Sequence, residues 1–135
     1  MHREEFTLST KGETEILDVT DRVREIVDRS GLTDGLIHVF TPGATAGVTT
    51  IEFEPGCVAD LRAAFERWAP REGEYEHNRR WGDGNGFSHV RAAMLGPSMT
   101  VPLADGMPVL GTWQQVIVID FDNRARDRRV VVTVT

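Results

Sequence analysis

Two stretches near the C-terminal end, Trp113–Phe121 (WQQVIVIDF) and Arg129–Thr135 (RVVVTVT), decide the fold of this chain. Their β-branched residues run on without alternating with polar ones, so each is expected as a strand buried on both faces, in a core or at a subunit interface. Working outward, Glu5–Ser9 and Thr14–Val19 alternate as strands do, with Lys11-Gly12 as the turn of an N-terminal hairpin. Gly35–Phe40 and Thr49–Phe53 read as strands flanking the small-residue turn TPGATAG, and Ser98–Pro102 and Pro108–Leu110 as extended segments around an Asp105-Gly106 turn. Thr20 caps a helix whose apolar positions are Val23, Ile26 and Val27, with Gly31 as its left-handed stop. A second helix follows Glu54-Pro55-Gly56, carries Val58, Leu61, Phe65 and Trp68 as a core stripe, and stops before Pro70. A short helix over His89–Leu95 ends at Gly96-Pro97. The sum is an α+β domain: a mostly antiparallel, bent sheet or sandwich with two main helices packed on it. Hairpin-length connections speak against a doubly wound sheet.

The length of 135 residues, 40% of them hydrophobic, fits a single domain spanning 1–135, with no internal repeat. No apolar run resembles a signal peptide or approaches the ~18 residues of a membrane span, so a soluble cytoplasmic protein without a membrane partner is expected. A formal net charge of −6 weighs against nucleic acid as a partner, because phosphate backbones select basic faces. The lone Cys57 excludes an internal disulfide and is expected as a small buried hydrophobe near a helix start. Arg124, Arg126, Arg128 and Arg129 alternate with acids and read as a solvated, charge-protected edge.

Chemistry is concentrated in Tyr75–His89, YEHNRRWGDGNGFSH, a polar stretch without helical or strand periodicity that holds two of the four histidines. Its Tyr75, Trp81 and Phe87 argue for order. His77 and His89 are the natural centre of a site, since imidazole ligates metals, moves protons and binds phosphate. His2 and His38, in the terminus and in an apolar strand, carry no such weight. Asp60, placed in the first turn of the second helix, and Glu52, at the end of the preceding strand, are the nearby carboxylates. Asp60 facing His77 would orient an imidazole or complete a metal shell. The amides of WGDGNG, with Asn85 among them, can cradle an anion. Arg79, Arg80 and Arg91 flank the stretch as phosphate partners, and Thr45 and Thr49 offer hydroxyls. Trp113 and Gln114, in LGTWQ, set an aromatic face and an amide at the mouth of a strand, suited to a flat heterocycle, with core packing the alternative role of the indole.

The ordered series ATAGVTTIEFEPG, Asp60, YEHN, GDGNGFSHVRAAMLGPS, TVPLADG and LGTWQQ resembles the YjbQ-like family, an uncharacterised protein family also called secondary thiamine-phosphate synthase enzymes. The likeness covers nearly the whole chain. It implies an antiparallel α+β fold, a homotrimer with polar sites near subunit interfaces, and a histidine-rich site for a divalent metal, zinc or magnesium, or an oxyanion. It also implies a transferase that joins a pyrimidine pyrophosphate to a thiazole phosphate and releases pyrophosphate. On that model His77, His89 and the arginines hold phosphate, Asp60 or Glu52 positions a cation, and Trp113 stacks on a ring. Gly43 and Phe87 stand where many relatives carry histidine, which removes donors from a three-histidine site. Two other classes remain open: a non-catalytic trimer binding a small phosphorylated ligand or metal, and a metal-dependent hydrolase.

Overall fold

The computed structural model describes residues Met1–Thr135. Eight strands form two antiparallel sheets. One has the order β1 (His2–Thr10), β8 (Arg126–Val134), β3 (Gly35–Phe40), β5 (Ser98–Ala104), β6 (Met107–Pro108); the other has the order β2 (Glu15–Asp18), β7 (Gln115–Asp120), β4 (Ala46–Ile51). Four helices complete the chain: α1 (Thr20–Ser30), α2 (Pro55–Trp68), α3 (Glu76–Trp81) and α4 (Gly86–Leu95). The α+β reading, antiparallel with two long helices among them, is the observed architecture.

β7 explains the uninterrupted VIVIDF run. Val116 and Val118 enter a core shared with Ile37, Val39, Val101, Val132 and α1. Ile117, Ile119 and Phe121 point the other way, against Phe65 of α2 and Ala92 of α4. Each such side chain contributes about 1.5–3 kcal/mol of burial, so both faces must be apolar. β8 meets the core of its own chain with one face only. Val130, Val132 and Val134 are fully buried, but Val131 and Thr133 face outward, half-buried, because no layer covers that side of the sheet.

The N-terminal hairpin does not exist. β1 pairs with β8 and β2 with β7, in different sheets, and Lys11–Thr14 carries the chain between them. Gly12, Glu13 and Thr14 are all left-handed (φ 76°, 58° and 62°), and a Cβ at Gly12 would stand 2.5 Å from the carbonyl oxygens of Asp122 and Arg124. The strand expected at Thr49–Phe53 is shifted to Ala46–Ile51 by its register with β7, which leaves Phe53 exposed. Trp68 is half exposed rather than core, and Asp105 and Gly106, both at positive φ, close the β5–β6 hairpin as expected.

Candidate functional site

The stretch Tyr75–His89 is not an aperiodic loop: it is two helices and a tight connection. α3 ends on Gly82 in the left-handed conformation (φ 66°), and Asn85 precedes the first turn of α4. Both are ordinary helix-boundary residues, and they are the sequence signal that reveals this arrangement. Gly86 lets the two helices meet, since a Cβ there would fall 2.5 Å from Tyr75 Cβ. The glycine-rich amides do not form an anion cradle. Asp83 Oδ1 accepts from Asn85 N–H, and Asn78 Oδ1 accepts from Gly86 N–H.

This packing brings His77 of α3 and His89 of α4 together, with ring centroids 4.5 Å apart. Each ring is held through one nitrogen. His77 Nε2 lies 3.1 Å from Asp83 Oδ2, and His89 Nδ1 lies 3.2 Å from the Ala44 carbonyl oxygen. Both partners are acceptors, so neutral His77 carries its proton on Nε2 and neutral His89 on Nδ1, which leaves a lone pair on the other nitrogen of each. Asp83, which sequence reasoning missed, is the orienting carboxylate. The Asn85 N–H and then His77 hold its carboxyl below the usual range.

Asp60 and Glu52 take no part in this pair. α2 begins at Pro55, so Asp60 lies in its second turn, on an exposed face. The capping carboxylate is Glu54, which accepts from the N–H groups of Gly56 and Cys57 and is held below its usual pKa by them. Cys57 is only partly buried, its Sγ is 3.8 Å from Glu52, and its thiol is pushed up chiefly by Glu54.

The arginines separate clearly. Arg91 is buried and spent on the Ala69 carbonyl, Thr14 Oγ1 and Glu66. Arg79 is paired with Glu74 and Glu76. Arg80, in the same cleft as His77, has no acidic partner.

Thr45 and Asn85 are buried structural groups. Thr45 Oγ1 donates to Asp122 and accepts from Arg128, and Asn85 Oδ1 accepts from Ser88 and the Asn123 N–H. Trp113 is 71% exposed, outside β7 and outside the core, and Gln114 closes its own turn through Gly111 N–H and Thr50. Arg124 and Arg129 lie exposed as a charged edge, but Arg128 does not join them. Asp120, Asp122 and Arg128 form a buried cluster linking the two sheets. Burial pushes the Asp122 carboxyl up, but the Thr45 hydroxyl and Arg126 outweigh it and hold it below its ordinary value.

Catalytic zinc sites commonly use three protein ligands. No three His, Cys, Asp or Glu side chains of the chain come together in a way that could hold a metal ion, so the His77–His89–Asp60 shell is not assembled. Phe87 is fully buried, with the guanidinium groups of Arg71 and Arg91 within about 5 Å of its ring. The donors of one chain do not fit the implied zinc or magnesium. No helix is long and apolar enough to cross a membrane.

The family model described as UPF0047 protein YjbQ-like matches residues 4–135. A UPF0047 protein of Archaeoglobus fulgidus is 38% identical over 128 residues, covering 95% of this chain and 97% of its own. A hypothetical protein of Aeropyrum pernix superposes with a TM-score of 0.92 at 30% identity, covering 100% of this chain and 98% of its own. A YbjQ-like protein of unknown function from Sulfolobus solfataricus gives the same TM-score, 0.92, at 28% identity over 97% of this chain and 94% of its own. With a family model that spans residues 4–135 and a relative 38% identical over 95% of this chain, the chain belongs to the UPF0047 YjbQ-like family.

Proposed function

We propose that this protein is a small cytoplasmic enzyme of thiamine-phosphate-synthase type, acting on phosphorylated heterocyclic substrates at the His77–His89 pair. The observation that carries this reading is the pair itself: two imidazoles 4.5 Å apart, each with one nitrogen engaged and the other free, beside the unpaired guanidinium of Arg80. In the proposed reaction a thiazole ring nitrogen bonds to the pyrimidine methylene carbon as that carbon's bond to the pyrophosphate oxygen breaks. The electron pair leaves with pyrophosphate, so the site must neutralise a departing polyanion. Arg80 and a protonated His77 supply positive charge, Asp83 holds the His77 ring in place, and a protonated His89, its Nδ1–H committed to the Ala44 carbonyl, donates through Nε2 to a phosphate oxygen. The homotrimer belongs to the same reading, and the exposed Trp68, Met107, Val109 and Trp113 support it as apolar surface suited to a second copy.

The test is a coupled assay for thiamine phosphate with purified protein. We expect product above background, lowered about 10²–10⁴-fold by His89→Ala or His77→Ala, the usual contribution of a positioned acid or base. Absence of product, or product indifferent to both substitutions, overturns the reading.

A further inference from the structure

Two side chains of α3 have no partner in the fold. His77, Arg80 and Trp81 stand at positions i, i+3 and i+4 of that helix, the spacing that sets side chains on one face. With Glu76 and Arg79 they line an open cleft of about 360 Å³, the lower end of the range for small-molecule sites. The indole of Trp81 is 73% exposed, belongs to neither hydrophobic core and stacks on no ring of the chain. Directly after it Gly82, at φ 66°, turns the chain away, and a Cβ there would meet nothing within 4 Å, so the space beside the helix end is open. Arg80 is equally unengaged, because Glu74 and Glu76 are taken by Arg79.

The two free groups hold different things. A guanidinium without a carboxylate matches a phosphate group through its parallel N–H donors. An indole is a platform for a flat ring, and its electron-rich face also attracts positive charge. Both groups line the same cleft, so one small ligand that joins a ring to a phosphate by a short link reaches both. Trp113, the aromatic expected at a ring from the sequence, does not line this cleft.

We infer that Trp81 is the ring platform of this site: it stacks on a flat ring whose methylene carries the phosphate or pyrophosphate held by Arg80. The inference rests on the reading of this face as the place where pyrophosphate departs, and it puts the ring that bears the leaving group, rather than the attacking thiazole, on the indole. As the bond from carbon to pyrophosphate oxygen breaks, its electron pair goes to pyrophosphate and the methylene carbon gains positive character until the thiazole nitrogen's lone pair fills it. The indole face holds the ring more strongly while that charge is present, so part of its binding is realised only in the transition state.

The test titrates the whole chain with benzyl phosphate, cyclohexylmethyl phosphate and inorganic phosphate, following the indole N–H and arginine Nε signals by NMR. The Trp81 signal is the one of three that disappears in Trp81→Ala. Benzyl phosphate is expected to shift both Trp81 and Arg80, and inorganic phosphate Arg80 alone. Trp81→Ala should weaken benzyl phosphate about five- to a hundredfold, the range for stacking on an aromatic side chain, and leave inorganic phosphate binding and the backbone spectrum as they were. Arg80→Gln should weaken all three probes. A Trp81 signal unmoved by millimolar benzyl phosphate, equal affinity for cyclohexylmethyl phosphate, or indifference of benzyl phosphate to Trp81→Ala would each overturn the platform. So would a Trp81 signal that moves with protein concentration instead of ligand, since a second copy would then cover the indole. Trp81-dependent ring binding in a protein that makes no thiamine phosphate would uphold the platform while the synthase reading falls; thiamine phosphate formation undiminished by Trp81→Ala would do the reverse.

Discussion

At the scale of residues, the site is defined by which nitrogen of each imidazole is occupied. A carboxylate accepts from His77 and a backbone carbonyl accepts from His89, so the two neutral rings hold opposite tautomers. Nitrogen-15 NMR above the titration range should report Nε2–H for His77 and Nδ1–H for His89. Asp83→Ala should release His77 to a mixture and leave His89 as it was. Identical tautomers in the wild type, or a His77 indifferent to Asp83→Ala, would contradict the geometry. Asp83 was hidden in the sequence because an aspartate between two glycines is an ordinary turn residue. Only the meeting of α3 and α4 gives it an imidazole to hold. Arg91 shows the reverse case. It lies close to His89 in sequence, yet helix α4 turns its guanidinium into the protein, toward Ala69, Thr14 and Glu66.

At the scale of elements, β7 and β8 carry the fold, and their link is ionic as well as apolar. Arg128 of β8 reaches Asp120 at the end of β7 across the gap between the sheets, with Thr10 of β1 donating to the same carboxylate. Removing one partner of such a buried pair leaves a charge with no water and no counterion. Arg128→Met is therefore expected to cost about 3–5 kcal/mol in urea denaturation, whereas paired apolar replacements of the whole cluster would cost far less. A loss below about 1 kcal/mol, the range of an exposed ion pair, would show that the bridge does not join the sheets. The same guanidinium holds Thr45, next to the Ala44 carbonyl that orients His89. The sheet junction and the site are thus built on neighbouring residues.

At the scale of the whole molecule, several carboxyl groups are held low by the folded state. Glu4 is brought to about 2, chiefly by its hydrogen bond from Arg29. Glu66 is lowered by Arg91, Asp83 by the Asn85 N–H and His77, and Asp122 by Thr45 and Arg126 against its burial. In the unfolded chain these groups protonate near pH 4, so between their folded and unfolded values the unfolded chain binds more protons. Stability from them is complete above roughly pH 5 and is lost as pH falls from about 4 downward. The urea midpoint should be flat above that window and decline below it; a midpoint that rises on acidification would contradict the assignment.

Elements whose signal is local can be read directly along the chain. The Gly31 stop of α1, the Glu54-Pro55 start of α2, the Asp105-Gly106 turn and the double-faced apolar run of β7 were all legible, because backbone sterics and burial act on adjacent residues. The family and the approach of His77 to His89 were legible too. Pairing and direction emerge only when the layers pack. Alternation within β1 and β2 does not say which strand each meets, and they meet different sheets. The packing of α3 on α4, not spacing within either helix, places His89 beside His77, and nothing in the spacing of Arg128 and Gly43, far apart in the chain, tells that they meet. Long-range contacts are chosen by the packing of whole layers, and that choice set which polar groups were consumed and which were left free at the site.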